Sequence, residues 1–194
     1  MVGSIAGFSS GNIEGVSSKA IVVNSATTDI NAEFECGGLV GRFGSDQEKK
    51  ISNCWFNGSV TTNNRGCGAI VGRVAMGTKT IEHCLNTGSV NNTISGTGAW
   101  TGGLIGCVIP QGTSTVSLKL ADSLNLGDVA TNPVWTTGAV IGQIWLNTGT
   151  SLEVTVENTY ATNECYTDPS GNPRAIGNGT LNSGNVSMVN EPLL

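Results

Sequence analysis

Gly37-Gly38-Leu39-Val40-Gly41 recurs as Gly68-Ala69-Ile70-Val71-Gly72, Gly102-Gly103-Leu104-Ile105-Gly106 and Gly138-Ala139-Val140-Ile141-Gly142, and Gly3-Ser4-Ile5-Ala6-Gly7 is a fainter copy. The copies start at residues 3, 37, 68, 102 and 138, so they lie 34, 31, 34 and 36 residues apart. A second pattern follows each one. It reads IEGVSSKAIV from Ile13, ISNCWFNGSV from Ile51, IEHCLNTGSV from Ile81, LADSLNLGDV from Leu120 and VENTYATNEC from Val156. Self-similarity at such a period marks a repeat architecture, in which a unit buries its apolar face only against its neighbours.

Alternation inside GGLVGRF puts Leu39, Gly41 and Phe43 on one strand face and Val40 and Arg42 on the other. The equivalent inward rows are Ile5, Leu39, Ile70, Leu104 and Val140, then Phe43, Val74, Val108 and Ile144. The last glycine of each quintet leaves room for a bend or a close backbone approach. The opposite face is apolar at Val40, Val71, Ile105 and Ile141, which predicts that part of it is covered too. The second pattern adds an aliphatic row at its first position and another at its tenth (Val22, Val60, Val90, Val129, Cys165). Its third position, Gly15, Asn53, His83, Asp122 and Asn158, suits a turn or a polar ladder, and Gly58, Gly88 and Gly127 mark a second bend. No stretch has helical periodicity.

These rows predict an all-β parallel β-helix (β-solenoid) of about five coils of 31–39 residues, stacked over roughly 24 Å at a strand spacing of about 4.8 Å. The extra length is expected in loops at 44–48, 91–100 and 110–117. Residues 1–165 form the solenoid, and the turn-rich 166–194 is expected to be a C-terminal cap or linker. The first repeat has no comparable cap, so a bare strand edge there predicts end-to-end association. MVGSIAGFSS has no basic region and no long apolar run, so it is not read as a signal peptide. Because repeat sequence begins almost at Met1, the chain is expected to be a fragment or mature segment of a longer protein.

Composition narrows the function classes. The 194 residues include 12% charged and 38% hydrophobic residues, with a net charge of −5, and so can bury a core. The nine Lys and Arg residues are scattered. That argues against nucleic acid and against anionic membrane surfaces as partners. No apolar run is long enough for a membrane-spanning helix, so no membrane insertion is expected. Six cysteines occur without CxxC or zinc spacing. Cys54 and Cys84 share a slot with Ser123 and Thr159, and Cys36 and Cys67 share one with Thr101 and Thr137. A slot filled by Cys, Ser or Thr wants a small side chain, so buried free thiols are expected. Stacking would bring Cys36 within disulfide range of Cys67, in an awkward side-by-side orientation.

The quintets GGLVG, GAIVG, GGLIG and GAVIG resemble the GLUG motif, a tandem repeat of large surface and secreted bacterial proteins. ISNCWFNGSV and IEHCLNTGSV resemble the family's NCYNTG stretch. The resemblance covers residues 3–165. It implies a right-handed parallel β-helix, an extracellular or cell-surface location, and a place in adhesin-like proteins or the accessory regions of immunoglobulin A proteases. It brings no catalytic residues.

The residues themselves offer little chemistry. His83 is the single histidine and occupies a turn slot. There is no HExxH, no phosphate-binding glycine loop and no DxDxDG calcium loop, so no metal and no cofactor is expected. Asp46, Glu48, Glu82, Asp122, Asp128 and Glu157 are dispersed among repeat positions and do not form an evident glycosidase pair. The candidate ligand-binding residues are Arg42 and Arg73, stacked in one register, and Trp100 and Trp135, each just before a quintet. The arginines either grip a sugar carboxylate or are neutralised by nearby acids. The tryptophans either stack on a sugar ring or lie buried under a loop. Sequons at Asn57, Asn91, Asn178 and Asn185 are read as chance. The expectation is a non-catalytic stalk or adhesive module of a large cell-surface or secreted protein. Its partners would be glycans or host glycoproteins and the neighbouring domains of a longer chain. The alternative is a carbohydrate-active β-helix lyase or hydrolase. Ice binding would need a flat, regular Thr array, which the uneven coils do not supply.

Overall fold

The computed structural model describes residues 1–25, 35–94, 99–131 and 136–190. Among them there are strands and bends and no helix. One repeat runs through Cys36–Gly37, Val40–Gly44, Lys49–Ser52, Trp55–Phe56 and Ser59–Thr62. The next retraces that path one layer on, through Cys67–Gly68, Val71–Glu82, Leu85–Asn86 and Ser89–Asn92. Equivalent strands pair in parallel. Cys67 lies between Cys36 and Thr101, and Thr101 is followed by Thr137. Val71 lies between Val40 and Ile105, and Ile105 is followed by Ile141. Ile13, Ile51, Ile81, Leu120 and Val156 form one unbroken row, and Val22, Val60, Val90 and Val129 form another. This strand arrangement fits a parallel β-helix.

The rows read from the sequence form the core. Leu39, Ile70, Leu104 and Val140 are fully buried, as are Phe43, Val74, Ile51, Ile81 and Leu120. Each such side chain contributes about 1.5–3 kcal/mol by leaving water. Both faces of the quintet strand are closed, since Val40, Val71, Ile105 and Ile141 are also fully buried. Ile5, at the same position of the first repeat, is 47% exposed because the stack covers it on one side only.

Glycine is required where the sheets meet. A Cβ on Gly72 would lie 2.6 Å from the Gly41 carbonyl oxygen and 2.9 Å from the backbone nitrogen and oxygen of Cys36. The quintet therefore folds the short Cys36–Gly37 sheet back onto the Val40–Gly44 sheet with backbone against backbone. The third position of the second pattern is a left-handed corner in every repeat: Gly15 (φ 67°), Asn53 (54°), His83 (50°), Asp122 (47°) and Asn158 (42°). Asn, Asp and His are the non-glycine residues that tolerate this region best.

A further row lines the interior. Asn86 Nδ2 lies 2.7 Å from Asn125 Oδ1 and 3.2 Å from the Gly103 carbonyl, and Asn86 Oδ1 accepts from Gly88 N–H at 2.9 Å. Asn125 repeats this on Gly127 and Ala139. These amides satisfy bend groups that the strand ladders leave unpaired.

The expected loop at 44–48 falls at the corner after Val40–Gly44, that at 110–117 is shorter than expected because Thr115–Ala121 is a strand, and residues 95–98 of the third lie outside the described residues. Lys79 holds the first loop from the next repeat. Its Nζ donates to the carbonyls of Ser45 (2.9 Å), Gln47 (2.8 Å) and Thr78 (3.0 Å). Burial pulls its ammonium down to about 8, and Lys49 one layer below adds to the shift. The segment after Tyr166 continues the stack as a partial turn. Ile176–Asn178 pairs in parallel with Ile141–Ile144, and Ser183–Val189 pairs with Ser151–Thr162.

Gly72→Ala is expected to lower stability by more than about 3 kcal/mol, because only backbone atoms could give way. Gly11→Ala, with nothing within 4 Å of the added carbon, should stay within about 0.5 kcal/mol. Urea denaturation of the two variants checks the contrast.

Candidate functional site

Arg42 and Arg73 stack in register, and a carboxylate of the chain itself lies between them. Arg42 meets Glu35 edge-on, with Nε 3.2 Å from Oε2 and Nη2 2.7 Å from Oε1. Arg73 Nη1 reaches the same Oε1 at 3.2 Å. Like charges directly opposite on paired strands are destabilising, and this carboxylate offsets their repulsion. The rest of each fork is engaged by the 110–117 loop and the residue before it. Arg73 donates to the carbonyls of Ile109 (3.0 Å) and Pro110 (3.2 Å), and Arg42 Nη1 to Gln111 Oε1 (2.9 Å). Glu35 and Arg73 are 1% exposed and Arg42 is 7% exposed. Of the two readings of this pair, the geometry matches neutralisation. Cys107 and Gln143 continue the row, both buried.

Glu35 was not singled out in the sequence because it sits outside both repeating patterns. The available signal was the acidic pair Glu33 and Glu35 just before the quintet at Gly37 that leads to Arg42.

The tryptophans are dispersed. Trp100 is half-buried, and the Arg65 guanidinium carbon lies 5.1 Å from its ring centroid, a cation–π distance. Trp135 lies outside the described residues. Trp145 is 53% exposed at a corner beside Leu146. Trp55 is 38% exposed, and its indole N–H donates to Thr87 Oγ1 at 2.8 Å.

Trp55 belongs to a row that the sequence reading passed over. Ser17, Trp55, Leu85, Leu124 and Tyr160 are stacked partners in five successive repeats. Their strand neighbours Phe56, Asn86, Asn125 and Ala161 are fully buried, so this row faces outward. The left-handed corners run alongside it. There Asn158 Nδ2 donates to Asp122 Oδ1 at 3.0 Å, and His83 Nε2 lies 3.8 Å from Asp122 Oδ2. Beyond the corners Lys50 pairs with Glu82 (3.1 Å) and Lys119 with Glu157 (2.8 Å). Three of the six dispersed acids, Glu82, Asp122 and Glu157, thus share one lateral face, each engaged with a neighbour. Chemically this face offers an aromatic and aliphatic stripe edged by hydrogen-bonding groups at strand spacing.

No family model matches the chain, and no curated protein matches it. Among solved structures it is similar to a chain from Bacteroides ovatus described as a putative immunoglobulin A1 protease, with a TM-score of 0.50 and 16% sequence identity. The match covers 96% of this chain and 65% of that one, so this chain spans about 65% of its neighbour's length. At this identity the likeness concerns the fold.

Glu35→Gln is expected to destabilise the protein by about 3–5 kcal/mol, because it leaves two buried guanidiniums without a counter-charge. Thermal and urea unfolding measure the loss.

Proposed function

We propose that this chain is a non-catalytic, right-handed β-solenoid module of a larger cell-surface or secreted protein, of the class marked by GLUG-like quintets. It serves as a stalk with an adhesive lateral face for glycans or host glycoproteins. The B. ovatus neighbour supports the extracellular, protease-associated setting through its fold and its description. The observation that carries the adhesive reading is the outward row from Trp55 to Tyr160 with its polar edge. An extended polysaccharide presents alternating apolar ring faces and hydroxyls, which suits aromatic side chains beside amides and carboxylates. The row is spaced at about 4.8 Å per repeat, close to the length of one extended sugar unit. The buried arginine pair has a different role here, as an internal tie that holds the 110–117 loop on the stack.

The test is to incubate the purified chain with immobilised host and bacterial glycans and to measure both retention and newly formed reducing ends. Retention without new ends, lost on Trp55→Ala and Tyr160→Ala, is the expected result. New ends would overturn the non-catalytic reading. Retention that survives both substitutions would move the adhesive face elsewhere, with Trp100 the next residue to replace. No retention would leave the stalk role alone.

A further inference from the structure

The six cysteines are all buried and none is in a disulfide, and they differ in surroundings. Cys36 and Cys67 are directly opposed in paired two-residue strands, and burial pushes the Cys36 thiol up to about 12 and Cys67 well above its ordinary value. Cys107 Sγ lies 3.7 Å from the Gly72 carbonyl, and Cys165 Sγ lies 3.3 Å from that of Asn125. Cys54 and Cys84 are placed differently. Each follows a left-handed corner residue, Asn53 or His83, and precedes a two-residue strand, Trp55–Phe56 or Leu85–Asn86. Those strands are in register, and Leu85 N–H donates to the Cys54 carbonyl at 2.9 Å. The two backbones therefore run one strand spacing apart, about 4.8 Å, within the Cα range of a disulfide.

The two thiols are placed alike in their layers, and one of them also reaches its neighbour's layer. Cys54 Sγ lies 3.1 Å from the Ser52 carbonyl, and Cys84 Sγ lies 3.3 Å from the Glu82 carbonyl. Cys84 Sγ is in addition 3.9 Å from the carbonyl of Ile51, which belongs to the repeat of Cys54. The Cys84 side chain thus reaches toward the layer below. The neighbouring thiol lowers Cys54 to about 7 and, with burial, raises Cys84 above its ordinary value. Two adjacent thiols, one of them with a lowered pKa, are what thiol–disulfide exchange uses.

We propose that Cys54 and Cys84 form an inter-repeat disulfide, made by exchange with a low-molecular-weight disulfide, that staples the second repeat to the third. The Cys54 thiolate attacks one sulfur of the small disulfide, forms a mixed disulfide and releases a small thiolate. That thiolate takes the Cys84 proton and leaves as a thiol. Cys84 then attacks Cys54 Sγ and expels the second small thiolate, which is protonated by solvent. The chain loses two hydrogens and the small disulfide is reduced to two thiols. Both cysteines are 2% exposed, so exchange takes place as the stack folds or as the corner opens locally. The proposal is independent of the glycan reading.

The test is to refold the full chain from denaturant in a mixture of reduced and oxidised glutathione, trap free thiols by alkylation, and map the peptides. The expected product has four alkylated cysteines and one cross-linked peptide pair containing Cys54 and Cys84, and reduction lowers its Tm by several degrees. Cys84→Ser should abolish the link and leave Cys54 carrying glutathione. The folded stack already accepts serine in this slot at Ser123. Cys36→Ser should leave the link intact. Six alkylated cysteines, a Cys36–Cys67 link, or glutathione adducts without a cross-link would each overturn the proposal.

Discussion

Backbone packed directly on backbone at the quintet glycines is the constraint from which the rest of this structure follows. Where Gly72 lies against Gly41 and Cys36, no side chain separates the two sheets, and the close spacing is maintained by main-chain atoms alone. That contact fixes how far the short strand folds back, which sets where the next strand begins and which of its residues face the interior. Because the geometry is the same in each layer, side chains of equal rank fall above one another. The apolar rows, the left-handed corners and the interior amides are consequences of one repeated fold-back.

Polar groups inside the stack follow the same rule of vertical neighbours. Asn86 and Asn125 bond each other as well as the bends beside them, so each amide is satisfied partly by its own layer and partly by the next. The arginine pair is the exception that shows the limit of the scheme. Stacking alone would set two like charges together, and the structure corrects this with Glu35 from just outside the repeat and with carbonyls from the loop after Val108. A layered protein can place an unfavourable pair in register provided a non-repeating segment supplies the compensation.

Much of the fold was legible because identical positions stack. The registers through Ile51, Ile81 and Leu120, and through Val60, Val90 and Val129, could be written down from spacing alone. The turn at His83 was legible too, from the company it keeps with Gly, Asn and Asp at that slot. Three things were not. The last partial turn was hidden because Pro173 stands where the quintet would begin with glycine, although Ile176-Gly177 keeps its ending. The interior amides were hidden because Phe56 occupies their row in the second repeat, so the column mixes an aromatic with asparagines. Neutralisation of the arginines was one of two readings available, but the acid that does it was hidden because Glu35 has no counterpart in other repeats. The candidate site suffered most. Outwardness was assigned from alternation, and alternation cannot tell a solvent-facing row from one covered by a distant loop.

The left-handed corner has a meaning for how such a surface can change over time. Its backbone admits a short list of residues, Gly, Asn, Asp and His, and all of them appear within this chain. Those residues include a neutral amide, an anion, a titratable imidazole and no side chain at all, yet each is compatible with the same path. The column at the edge of the aromatic row can therefore exchange charge for neutrality, or a donor for an acceptor, one layer at a time while the interior rows stay as they are. Surface identity and structural integrity are written at different positions of the repeat. Lineages carrying such stacks could vary what the flank presents without renegotiating how it folds.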